Sequence, residues 1–98
     1  MEQIKILLVE NVHPVAKERL VAEGYHVELL TDSPGEDELI QLLKGYQVLG
    51  LRSKTEVTEK ILKECSHLLT IGAFCIGTNQ IHLAQANSLG IPVFNAPY

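Results

Sequence analysis

Along the chain, short apolar runs alternate with stretches whose apolar residues recur at helical spacing. Residues 4–9 (Ile-Lys-Ile-Leu-Leu-Val) are β-rich and almost continuously apolar, the pattern of a strand covered on both faces. A turn at 10–13 leads to Pro14, which suits the first turn of a helix because its missing N–H is not needed there. Ala16, Leu20 and Val21 supply that helix with an apolar stripe, and Gly24 ends it in a left-handed conformation. The alternation then repeats. A strand over 26–30 and a polar turn over 31–35 precede a helix over 36–44, which Gly45 ends. Glu36, Asp37 and Glu38 in its first turn complement the positive end of the helix dipole. The third strand, 47–51, runs into Arg52-Ser53-Lys54, and Thr58 caps a third helix with Ile61, Leu62 and Cys65 on its buried side. A fourth strand over 68–72, a loop over 73–80 and an alanine-rich helix over 81–89 follow. Gly90 closes that helix before a fifth strand over 91–94, with Pro92 near its start or on an edge.

Strands recurring every ~21–23 residues define compact β-α units. Five strands alternating with four helices, joined by right-handed crossovers, predict one α/β domain: an open parallel sheet in a three-layer, flavodoxin-like arrangement of order 2-1-3-4-5. In such a sheet ligands bind beyond the carboxyl ends of the strands, where the strand order reverses. That point lies between the first and third strands, flanked by residues 10–13 and 52–54, with the 73–80 loop next along.

Composition narrows the function classes. A chain of 98 residues supports one core, and 46% apolar with 20% charged residues is an ordinary globular balance. The net charge of −4 argues against a broad nucleic-acid footprint, so any basic site is local. No apolar run approaches a membrane span, and the amino terminus enters a strand directly without a signal-peptide layout, so cytoplasm is the expected compartment. Cys65 and Cys75 have neither disulfide-framework nor C-x-x-C spacing: Cys65 reads as core, and Cys75, without a basic neighbour, as an inert small side chain in a Gly-flanked loop. No metal spacing is present, and neither G-x-G-x-x-G nor a P-loop occurs, so the chain carries no dinucleotide or triphosphate site of its own.

The candidate chemistry is anion binding. Arg52 offers a rigid fork for a carboxylate or phosphate, and Ser53 a hydroxyl and a backbone N–H; the alternative is that Arg52 pairs with Glu10 or another acid. Lys54 is either an auxiliary cation or a solvated side chain. The glycines of Gly-Ala-Phe-Cys-Ile-Gly-Thr-Asn-Gln (72–80) permit either an amide cradle or only a tight strand-to-helix turn. His13 lies at the ligand end without a nucleophile or carboxylate to complete a catalytic set. His26 and His67 sit at strand entries and read as surface, and His82 starts a helix.

Gly-Leu-Arg-Ser-Lys-Thr (50–55), Ile-Gly-Ala-Phe-Cys-Ile-Gly-Thr-Asn-Gln (71–80), Gly-Ile-Pro-Val-Phe-Asn-Ala-Pro-Tyr (90–98) and Ile-Leu-Leu-Val-Glu-Asn-Val-His (6–13) resemble the amino-terminal region of the D-isomer-specific 2-hydroxyacid dehydrogenases. The resemblance is to bacterial members, and the second motif is specific to a bacterial branch. Other branches have an arginine where Ala73 stands and Asp-Asn where Asn79-Gln80 stands, so an anion contact by that arginine is not carried over. The resemblance implies a substrate-binding domain that leads, through a hinge after Asn-Ala-Pro (95–97), into a Rossmann-type NAD domain of the same chain. That second domain holds the dinucleotide fingerprint, the catalytic histidine, its glutamate and a carboxylate-gripping arginine, none of which is expected here. By analogy Arg52 and Ser53 contact the phosphate or polar end of a small phosphorylated 2-hydroxy acid, and backbone groups at Cys75, Ile76 and Gly77 line the substrate side of the cleft. NAD belongs to the parent enzyme, and the 98 residues alone are expected to be inactive.

Two other proteins with this strand order fit poorly. A receiver domain needs an acidic cluster after the first strand and an aspartate ending the third, where Arg52 stands; a flavodoxin needs a hydroxyl-rich phosphate loop where Glu-Asn-Val-His (10–13) stands. The remaining alternative is a non-catalytic scaffold that binds an anion weakly or only self-associates. Apolar surface left uncovered by a returning segment of the parent chain predicts a homo-oligomer.

Overall fold

A computed structural model of the protein describes residues 3–75 and 79–95. Five parallel strands, β1 (Lys5–Leu8), β2 (His26–Leu29), β3 (Val48–Leu51), β4 (Thr70–Ala73) and β5 (Val93–Asn95), form one sheet in the order 2-1-3-4-5. Between them run α1 (Pro14–Ala22), α2 (Glu36–Leu43), α3 (Glu59–Glu64) and α4 (Leu83–Ser88). The predicted class and strand order are those observed.

Side-chain alternation divides the core by the two faces of the sheet. Leu7, Val9, Leu49, Leu51, Ile71 and Ala73 point to one face and pack with Leu39, Ile40 and Leu43 of α2, Ile61 and Leu62 of α3, and Ala86 of α4. Ile6, Leu8 and Val27 point to the other, where Ala16 and Leu20 of α1 provide the helical cover. Among the described residues, three helices therefore cover one face and a single helix the other. The sequence-predicted stripe on α1 needs correction: Val21 is exposed, Ala16 and Leu20 are half-buried, and no residue of α1 is fully buried.

Capping sets the helix boundaries. The His13 Nδ1 accepts the Val15 N–H at 3.1 Å ahead of Pro14, and the Thr58 hydroxyl accepts the Ile61 N–H at 3.3 Å. Gly24 (φ 98°) and Gly90 (φ 72°) leave α1 and α4 in the left-handed region, whereas Gly45 follows α2 without it. Cys65 is the C-cap of α3 and fully buried, and burial pushes its thiol pKa up. His26 and His67 are exposed; the His67 Nε2 lies 2.7 Å from the Leu43 carbonyl at the end of α2.

Three predicted starts shift by two residues, each for a hydrogen-bonding reason. The Leu68 N–H closes a turn on the Cys65 carbonyl at 3.1 Å, so β4 begins only at Thr70. Ile81 bridges to Val57 and does not join α4, the Val57 N–H reaching Gln80 O and the His82 N–H reaching Val57 O. The Ile91 N–H is drawn back to the Ala86 carbonyl at 2.9 Å, which delays β5 to Val93.

One row across the sparsely covered face is unusual. Register aligns Leu29, Leu8, Gly50, Gly72 and Phe94 on neighbouring strands. The Phe74 ring folds back over the two glycines: a Cβ on Gly50 would overlap the buried Leu8 Cδ2 and sit 3.0 Å from Phe74 Cε2, whereas a Cβ on Gly72 would lie 3.7 Å from that ring. Gly50→Ala is therefore expected to destabilise the fold by about 1–3 kcal/mol through overpacking. Gly72→Ala should change stability by less than about 1 kcal/mol, the methyl meeting only ordinary van der Waals contact. Urea unfolding of both variants checks the contrast, and equal losses would show that the ring does not occupy this trough.

Candidate functional site

The carboxyl ends of β1 and β3 are adjacent, with Leu8 opposite Gly50, and the chain leaves each through a tight connection. After β1, Glu10 (φ 61°) and Asn11 (φ 52°) are successive non-glycine residues in the left-handed region, a conformation that costs roughly 1–2 kcal/mol per residue. The 30–32 segment braces them, the Glu10 N–H reaching Asp32 O at 2.8 Å and the Asn11 N–H reaching Leu30 O at 2.9 Å.

This turn directs the Glu10 side chain beneath the loop after β3. Glu10 Oε2 accepts the N–H groups of Arg52 (2.8 Å) and Thr55 (2.9 Å), and Oε1 accepts that of Lys54 (2.7 Å). Glu10 is only 8% exposed, and Thr55, whose hydroxyl lies 2.7 Å from the Ser33 hydroxyl, is buried. Burial is the largest single influence on the Glu10 carboxyl and pushes its pKa up. The amide and hydroxyl of Thr55 and the amides of Lys54 and Arg52 together outweigh it and hold the pKa below the usual carboxylate value.

The loop is held from its other side as well. Gln80 Nε2 donates to Arg52 O at 2.7 Å and contacts Cys75 Sγ at 3.3 Å. The Asn95 side-chain amide at the end of β5 donates to the Ala73 and Cys75 carbonyls. Side-chain amides thus link the ends of β3, β4 and β5 into one edge.

In front of this edge, between α1 and Phe74, lies a groove of about 780 Å³. Asn11, Val12, His13, Pro14, Leu20 and Phe74 contribute to its mostly apolar wall, and Arg19 and Arg52 bring positive charge to it. Of the sequence-predicted site residues, Arg52 lines this groove and Ser53 is exposed on the same loop. Cys75 is half-buried against the larger core and is not among the groove's lining residues. Ile76 and Gly77 lie outside the described residues. Lys54 is exposed, its N–H bound to Glu10.

The alternative of an Arg52–Glu10 ion pair takes a different form: the carboxylate binds the main chain of the Arg52 loop, and no ion pair to Arg52 occurs among the described residues. Sequence reasoning placed Glu10, Phe74 and Gln80 on the segments around the switch point but did not assign them these roles. The available signal was a lone acid ending a buried strand opposite a cationic loop. No group of metal-ligating side chains occurs among the described residues, and none of their helices is long and apolar enough to cross a membrane.

The family model of the D-isomer specific 2-hydroxyacid dehydrogenase catalytic domain matches residues 6–98. The chain belongs to this family. It is 52% identical over 97 residues to the D-3-phosphoglycerate dehydrogenase of Dictyostelium discoideum and 44% identical over 98 residues to that of Escherichia coli K12. Each alignment covers 99% of this chain and 24% of the relative, so the chain spans about a quarter of their length. With a eukaryotic enzyme among them, the likeness is not confined to bacterial members. The NAD⁺-bound 3-phosphoglycerate dehydrogenase of Entamoeba histolytica shares the fold, with a TM-score of 0.83 at 21% identity over 98% of this chain and 33% of that one.

The Glu10 arrangement carries a pH signature. A carboxyl whose folded pKa is depressed adds stability that is fully present above its unfolded value, about 4.3, and is lost as pH falls through the folded value. Glu10→Gln, which removes the charge and one acceptor, should cost about 1–3 kcal/mol at pH 7. It should also flatten the fall in stability below about pH 4.3. Urea midpoints between pH 3 and 7 test this, and an unchanged acid limb in the variant would refute it.

Proposed function

We propose that this chain is the substrate-binding domain of an NAD-dependent D-3-phosphoglycerate dehydrogenase acting in the cytoplasm. The parent enzyme oxidises 3-phosphoglycerate to 3-phosphohydroxypyruvate at the entry to serine synthesis. The observation that carries this reading is the placement of Arg52 beside Ser53 at the β1–β3 switch point, in a chain 52% identical to an enzyme of that name. The guanidinium and the Ser53 hydroxyl suit a phosphate through charge-assisted hydrogen bonds, and the neighbouring groove gives the rest of a small ligand a partly desolvated wall.

Among the described residues, those that follow β1 do not suit NAD. A pyrophosphate needs free amides at a helix N-terminus after β1, but Pro14 has none and His13 Nδ1 takes the Val15 N–H. The role assigned to these 98 residues is orientation of the substrate, so the isolated chain should show neither turnover nor NAD affinity. Titration with 3-phosphoglycerate, followed by amide NMR, should shift the Arg52 and Ser53 resonances, and Arg52→Ala should weaken that response at least about tenfold. Turnover by rigorously purified chain, or silent Arg52 and Ser53 amides at millimolar ligand, would sink this reading.

A second reading, a self-associating scaffold, has its own support. Phe94 is 61% exposed on the edge strand β5, in line with Gly72 and Gly50 on the face that carries α1. Exposed apolar surface on a sheet edge favours association. Light scattering should show a homo-oligomer that Phe94→Ser weakens; a clean monomer at high concentration contradicts it.

A further inference from the structure

Four successive amides follow β3, and Glu10 takes three of them, those of Arg52, Lys54 and Thr55. Ser53 N–H is the one it leaves, and the Arg52 carbonyl is bound to Gln80. A run of amides turned inward on a carboxylate is an anion nest already filled by the protein's own anion. What the loop presents outward is therefore the Arg52 guanidinium with the hydroxyl and amide of Ser53. Holding Glu10 in place requires two left-handed non-glycine residues in succession, a conformation kept only where the surroundings over-determine it.

We propose that Glu10 and Gln80 are positioning residues for anion binding at Arg52 and Ser53: they fix the 52–55 loop from below and from the side before any ligand arrives. This deepens the proposed function and rests on it. Neither residue need touch the ligand: Glu10 is buried under the loop, and Gln80 reaches it through the Arg52 carbonyl. Their contribution is to preorganisation, sparing the ligand the cost of ordering the loop. Glu10 cannot serve as a ligand contact for an anion, since its charge would repel it, so its place under the site is explained by the loop geometry it enforces.

The test uses the chain as it stands, with Glu10→Gln and Gln80→Ala as variants and 3-phosphoglycerate as the probe. Gln80→Ala, at a surface hydrogen bond, keeps the test open should Glu10→Gln fail to fold. Amide hydrogen exchange should speed up by at least about tenfold at Arg52, Lys54 and Thr55 in Glu10→Gln while core amides such as Leu49 and Ile71 change only with global stability. In both variants the probe concentration needed to shift the Ser53 amide should rise by at least about tenfold. A wild-type response matched by both variants overturns the positioning role and leaves the functional reading intact. A silent wild type refutes the functional reading; loop exchange then decides, and unaltered exchange in Glu10→Gln overturns the positioning role as well.

Discussion

The Glu10 carboxylate joins the end of the first strand to the loop after the third, and the local geometry of this edge of the sheet depends on that junction. A buried carboxylate without partners would be protonated or would disrupt the core. Three backbone N–H groups and a buried threonine hydroxyl make its charge tolerable and in return fix the loop. The left-handed turn at Glu10 and Asn11 is the conformational cost of this arrangement, offset by hydrogen bonds to the 30–32 segment.

The distribution of cover over the sheet determines what remains available at its surface. Three helices seal one face with a continuous aliphatic core, whereas α1 shields only β1, β2 and the inner edge of the switch point. Gly50 and Gly72 lower the middle of the other face, Phe74 lies across them, and Phe94 remains open at the edge. The groove that brings Arg52 together with α1 and Phe74 belongs to this less covered side.

On the proposed reading a ligand belongs at the switch point, and the hydrogen bonds there show how the adjoining loop is held. The loop after β3 is divided: the amides of Arg52, Lys54 and Thr55 serve an internal carboxylate, while the side chains of Arg52, Ser53 and Lys54 are exposed. On the proposed reading, a loop held in this way meets a charged ligand without first having to fold around it.

By itself the sequence determined the strand order, the placement of Arg52 and Ser53 at the carboxyl end of the third strand, the burial of Cys65 and the family, because these follow from hydrophobic period, helix punctuation and motif wording. Strand and helix limits near residues 68, 81 and 91 were legible only to within a turn, since single hydrogen bonds from Leu68, His82 and Ile91 decide them. Val21 illustrates the same limit: its spacing fits the stripe, but a helix covering its sheet alone has one narrow contact line, and Val21 falls off it. Only tertiary structure decided that Glu10 meets the backbone of the loop 42 residues later and not the Arg52 side chain. The reason is physical: main-chain amides have no signature in residue type, and their direction is set by the turn that two strands adjacent in space, though not in sequence, allow.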